Sequence, residues 1–199
     1  MTLLTRITGT SRLKYALLAV ALLSLNACAA LGKTDVYRDS NMDFGSLHTV
    51  AVLPFTNLTK EQQANDRVRD VFTSELMATG GIYVVPAGEV ARGIVAAGAG
   101  SPSTPTSEEA MKICKNVKAD ALFTGTLREY GEIRSGTASA NAIVLSIQLM
   151  EGQTGRVVWS ADTTQGGITL KDRLLGGGGQ PLNIVTQKAV NDLIKKLFE

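Results

Sequence analysis

An α/β domain built on a mixed β-sheet is what this sequence predicts, on three observations. Two apolar runs, TVAVLPF and IYVV, flank an amphipathic helical pattern, the signature of a β-α-β unit with parallel strands. Further on, two alternating segments are joined by the turn EGQTG, the signature of an antiparallel hairpin. The chain then closes on a helical stripe, and a low aromatic content of 5% beside many Ala, Val, Ile, Leu and Gly residues suits this class.

In order, Thr49 to Phe55 is a continuous apolar run ended by Pro54 and reads as a buried strand. After the polar stretch TNLTKEQQ, Asn65 or Asp66 is the expected N-cap of a helix to Ala78, with Val68, Val71, Phe72 and Leu76 on one stripe. Gly80-Gly81 stops it, and Ile82 to Val85 is the second buried strand, closed by Pro86. Glu89 to Ala97 reads as a helix weakened by Gly93. After the loop 98–106, Thr106 with Glu109 three residues on forms a capping box for a helix through Val117. The run ALFTGTLREY is the third strand; Ala142 to Met150 and Val157 to Thr164 are the fourth and fifth, arranged as an antiparallel meander. A glycine-rich connection leads to a last helix, Leu182 to Phe198, with Val185, Ala189, Val190, Leu193, Ile194 and Leu197 facing the core.

The N-terminus is an address. Arg6, Arg12 and Lys14 precede an uncharged apolar run of roughly eleven residues, Tyr15 to Leu25, which is too short to span a bilayer, where about twenty are needed. Leu25-Asn26-Ala27-Cys28 then resembles the lipobox of bacterial lipoproteins, which implies cleavage between Ala27 and Cys28 and acylation of Cys28. One acyl chain holds a protein to a membrane only marginally, so the several chains implied by the resemblance are what make attachment stable. Ala29 is not the aspartate associated with inner-membrane retention, so the expected location is the outer membrane, facing the periplasm. The expected layout is a signal peptide over 1–27, a lipidated tether over 28–48 and one α/β domain over 49–199.

Composition excludes several classes. The leader holds three basic residues and no acidic one, so its removal takes the net charge from +2 to −1. No clustered basic surface is left to track a phosphate backbone, and nucleic acid is not an expected partner. With Cys28 acylated, Cys114 has no disulfide partner; it falls with Ala110, Ile113 and Val117 on one helical side, where a small buried hydrophobe belongs. A thiol nucleophile needs a base, and the single histidine, His48, lies at the entry to the domain. One histidine and one cysteine do not make a metal ligand set. Glu129, Glu132 and Asp162 sit in no motif with a nucleophile, and Trp159 reads as a core residue. The run Gly176, Gly177, Gly178, Gly179 lacks the Lys–Ser/Thr pair of a phosphate cradle and is a connector, kept as a candidate interaction loop. No catalytic constellation and no cofactor site are expected.

The blocks VAVLPFTN (Val50 to Asn57), GIYVVPAGEVARGI (Gly81 to Ile94) and KADALFTGTLREY (Lys118 to Tyr130) resemble those of the CsgG/LpoB-like periplasmic lipoproteins, whose core is similar to the N-terminal domain of TolB. The resemblance covers nearly all of 49–199. It implies a three-layer α/β sandwich, anticodon-binding-like, and a non-enzymatic protein acting by contact with an envelope partner or with copies of itself as an accessory or assembly factor. The alternative it implies is a ring-forming secretion channel of the curli type. Such a channel inserts hairpins whose strands need about nine to eleven membrane-facing residues each. The stretch 134–141, which joins the third and fourth strands here, is short and polar. A synthase activator like LpoB reaches its target through a long disordered segment, longer than the tether at 28–48.

Overall fold

The computed structural model describes residues 36–168 and 179–199. Seven strands form one sheet in the order β1-β7-β6-β5-β2-β4, with β3 beside β5. The strands are β1 (Val36–Arg38), β2 (Thr49–Val52), β3 (Thr56–Asn57), β4 (Tyr83–Val84), β5 (Ala121–Ser135), β6 (Ala138–Glu151) and β7 (Val157–Gly166). The helices are α1 (Ala64–Ala78), α2 (Ala87–Ala97), α3 (Ser107–Val117) and α4 (Leu182–Phe198). The sheet is mixed as expected: β2 runs parallel to β4 and β5, while β5, β6, β7 and β1 form an antiparallel series.

Two cores lie on opposite sides of the sheet, which makes the fold three-layered. On one side α1 and α4 bring Phe72, Leu76, Val190 and Leu193 onto Val52, Phe123, Leu145, Ile147 and Trp159. On the other, α2 and α3 bring Val90, Ile94, Ile113 and Cys114 onto Ala51, Leu53, Leu122 and Met150. Val50, Ala51 and Val52 are all buried because β2 is central and covered on both faces, the reason its sequence reads as an unbroken apolar run. The strands β6 and β7 alternate instead, since α4 packs on one of their faces only. The described residues belong to one compact unit.

Several local expectations change. The sheet begins at Val36, inside the stretch read as tether: Val36, Tyr37 and Arg38 pair with Ala161, Ser160 and Trp159 of β7. Three residues carry no periodicity, and the pairing comes from an edge far along the chain. Arg38 adds a bond from its guanidinium to the Leu197 carbonyl (2.9 Å) and lies over the Phe44 ring. Helix α1 starts at Ala64 after Gln63 in a left-handed conformation (φ 64°), with no side-chain cap. Asn65 is drawn away to donate to the Phe55 carbonyl (3.0 Å). The capping box at Thr106 and Glu109 forms as read. Gly93 is a packing residue: a Cβ there would fall 2.3 Å from Cγ1 of Val117, so its smallness lets α2 lie against α3.

The meander also differs. Both β5 and β6 run past the expected ends at Tyr130 and Ala142 to meet at a two-residue turn, Gly136-Thr137. The added pairs, from Glu132↔Asn141 to Ser135↔Ala138, project beyond the last residue of β7, Gly166. Small and polar residues hid these strand ends, because periodicity is legible only where one face is apolar.

Candidate interaction surface

The reactive side chains do not converge. Cys114 is only 2% exposed, and burial, with Asp120 adding to it, pushes its thiol up to about 12, so it is not a thiolate nucleophile. Asp120 accepts backbone N–H groups from His48 (2.9 Å) and Thr49 (2.8 Å), pinning the start of β2. Glu129 and Glu132, three apart on a strand, face opposite sides. Glu132 is held below the ordinary carboxylate range by a hydrogen bond from Ser139 and one from Arg134 (2.8 Å). Among the described residues no cluster of His, Cys, Asp and Glu could hold a metal ion, and no helix is long and apolar enough to cross a membrane. Cys28 and Gly176 to Gly178 lie outside the described residues. Gly179 is docked, with Ala140 2.9 Å from where its Cβ would be, and the next residue's carbonyl, Gln180, accepts from Asn141 (2.9 Å).

What the fold does present is a polar sheet face. Helices α2 and α3 cover β2, β5 and the lower end of β6; their core ends at Val157, the first residue of β7, and the rest of β7 and β1 lies beyond it. The uncovered half is organised by register into two rows of side chains. One row reads Tyr37, Ser160, Gln148, Thr124; the other Asp162, Ser146, Thr126, Thr56. Asp162 accepts from the Ser146 hydroxyl and lies 4.0 Å from Arg128. An open pair of that kind contributes little to stability. A groove of about 300 Å³ runs along this face, with Thr124, Thr126, Arg128 and Gln148 on its floor and Ser103 and Thr104 on its rim. A second depression, of about 510 Å³, lies between α1 and α4 against Tyr130. Hydroxyls, an amide and one ion pair can donate and accept along an approaching surface, and the Ser146 hydroxyl is committed to Asp162, with no histidine beside it. The signal was in the sequence, in the alternation of Ser146 with Gln148 and of Ser160, Asp162 and Thr164 against apolar neighbours.

The rim is latched by one carboxylate. Glu109 accepts the backbone N–H of Gly100 and that of Thr106, each at 2.7 Å, and Ser103 meets Thr56 at 3.1 Å. The bonds from Thr106 and Gly100 lower the pKa of Glu109. A carboxyl depressed in the folded state adds stability above its unfolded pKa and loses it as pH falls through the folded one. Acidification below the ordinary glutamate range will therefore lower the amide protection factors over 98–106, exchange being taken relative to the unfolded rate at each pH. At neutral pH Glu109→Gln will do the same, since an amide oxygen accepts more weakly than a carboxylate; unchanged protection would refute the latch.

A family model of the GNA1162-like lipoproteins matches residues 40–197 of this sequence. The chain belongs to the GNA1162-like lipoprotein family. No curated protein matches the sequence significantly. Among solved structures, a PelC dodecamer from Paraburkholderia phytofirmans, a point variant, is 18% identical, with 84% of this chain and 98% of that one covered and a TM-score of 0.58. Lipoprotein GNA1162 from Neisseria meningitidis is 16% identical, with 76% and 98% covered and a TM-score of 0.54. At such identities these likenesses establish a shared fold. The LpoB C-terminal domain from Salmonella enterica covers 63% of this chain and 86% of its own at 20% identity, with a TM-score of 0.46, too low to carry more. The kinship read from the sequence blocks thus holds as lipoprotein kinship, under the GNA1162-like name and not the curli one.

Proposed function

We propose that this GNA1162-like lipoprotein is anchored by acylated Cys28 in the outer membrane and works in the periplasm by protein contact, as a non-enzymatic accessory or assembly factor of an envelope machine. Membership of a lipoprotein family is the observation that carries this, and the lipobox-like LNAC at 25–28 supplies the attachment point. The β6–β7 face opposite α4 is the contact surface in this reading, because no described helix covers it beyond the start of β7.

A second reading, assembly of several copies into a ring, is favoured by the likeness to a solved PelC dodecamer. Both readings meet in one experiment. A photoreactive residue placed at Gln148 in cells will give discrete adducts, whereas one at Lys115 on α3 will not. Adduct masses at multiples of the chain carry the ring; a mass of different composition carries a separate partner. Absence of adducts at Gln148, with turnover by the purified domain that a point substitution abolishes, would overturn the proposal.

A further inference from the structure

The β5–β6 hairpin arm lies at the end of the domain from which the chain enters, and this juxtaposition bears on where the membrane is. Strand β1 runs antiparallel to β7, and β7 runs toward the arm, ending with Gly166 opposite Ala142. Val36 therefore comes into the sheet from the arm end. It pairs with Ala161, which is level with Ile147 of β6. From Ile147 to the last paired residue, Ala138, nine residues climb about 30 Å at ~3.4 Å each. Between Cys28 and Val36 lie eight residue steps, which span at most about 29 Å at ~3.6 Å each, however they run. The arm is thus about as long as the longest possible leash.

Among the described residues the chemistry of that end differs from the other. The turn Ser135-Gly136-Thr137-Ala138 is uncharged, and Arg134 beside it is neutralised by Glu132. Ile133 on the arm and Ile184 at the start of α4 are both more than a third exposed. Helix α4 begins at this end too, because Asn141 of the arm binds the carbonyl of Gln180. The opposite end carries Asp43, Lys115, Lys118, Asp120 and Glu151 around its turns. An uncharged turn with scattered apolar side chains can meet a headgroup layer without giving up the hydration of a charge.

We infer that the tip of the β5–β6 arm, Ile133 to Ala138, rests on the lipid headgroups, so that the domain stands arm-first on the membrane and turns its Glu151–Gly155 hairpin away. The inference rests on anchoring at Cys28. It requires no insertion: the four pairs beyond β7 are fewer than the roughly nine to eleven residues that a spanning strand needs. In this orientation the polar face of β6 and β7 stands upright, facing sideways to neighbours.

The full lipidated chain, reconstituted in vesicles doped with headgroup-spin-labelled phospholipid, tests this. Thr137→Cys and Gln153→Cys place a fluorophore at either end, and the buried Cys114 stays unlabelled. The expected result is quenching several-fold stronger at Thr137 than at Gln153, with flotation lost in Cys28→Ser. Equal quenching at both ends, with flotation still dependent on Cys28, overturns the orientation alone. Flotation that survives Cys28→Ser overturns the anchor, and the orientation with it.

Discussion

Phe72→Ala will lower the unfolding free energy by about 3–5 kcal/mol, the range for removing a buried aromatic ring. Phe72 is 1% exposed and stands where α1 meets the sheet, its ring 5.2 Å from that of Phe123 in an edge-on contact and 5.9 Å from that of Phe55. Aromatic pairs so arranged add to area burial by about 0.5–1.5 kcal/mol each. The loss reaches further than one helix. Phe55 closes the apolar stretch after β2, and Phe123 lies on β5, so the three rings tie the β-α-β half to the meander. Relaxation to fill the space is limited, since Gly125 already leaves Phe55 no room to move toward β5: a Cβ there would be 2.6 Å from the ring. Urea titration at neutral pH measures the change; a loss under about 1 kcal/mol would mean that the site collapses and that this cluster is not the keystone of the core.

The second large effect is functional. Cys28→Ser will release the protein from the membrane fraction while leaving the domain folded. The serine hydroxyl is not the acyl acceptor that the lipobox resemblance implies, and the anchor is lost. Acyl chains contribute about 0.8 kcal/mol per buried methylene, so losing several long chains removes far more binding than any surface of this domain supplies. The fold does not depend on residue 28, because the sheet begins at Val36. Fractionation with circular dichroism of both forms measures the two halves of the prediction. Cys28→Ser protein found in the membrane fraction would show that attachment comes from elsewhere.

The parts of this fold legible in the sequence are those where one residue's neighbours in space are also its neighbours in the chain. Helix α4 runs from Leu182 to Phe198 as expected because its six core-facing residues recur at helical spacing. The Thr106–Glu109 box and the Glu151–Gly155 turn are likewise local devices. Strand β1 was hidden because what makes Val36 to Arg38 a strand is the free edge of β7, more than a hundred residues away. The arm was hidden because Ala138, Ala140 and Ala142 are packed but small, and of their partners Ser135, Ile133 and Gly131 only one is a large apolar residue. Gly93 looked like a defect in α2 since only Val117 of α3 explains it. The burial of Cys114 was readable, from the helical side it shares with Ala110 and Ile113. The polar face was readable as alternation but not as a surface, because its being uncovered depends on where α2 and α3 stop.

Everything proposed for this GNA1162-like lipoprotein turns on what happens at Cys28, and the mass of the detergent-extracted protein under native conditions tests that most directly. The account predicts a chain of residues 28–199 carrying acyl mass on its first residue, held in one stoichiometric complex with copies of itself or with a partner. A chain that begins elsewhere and carries no acyl mass would contradict it.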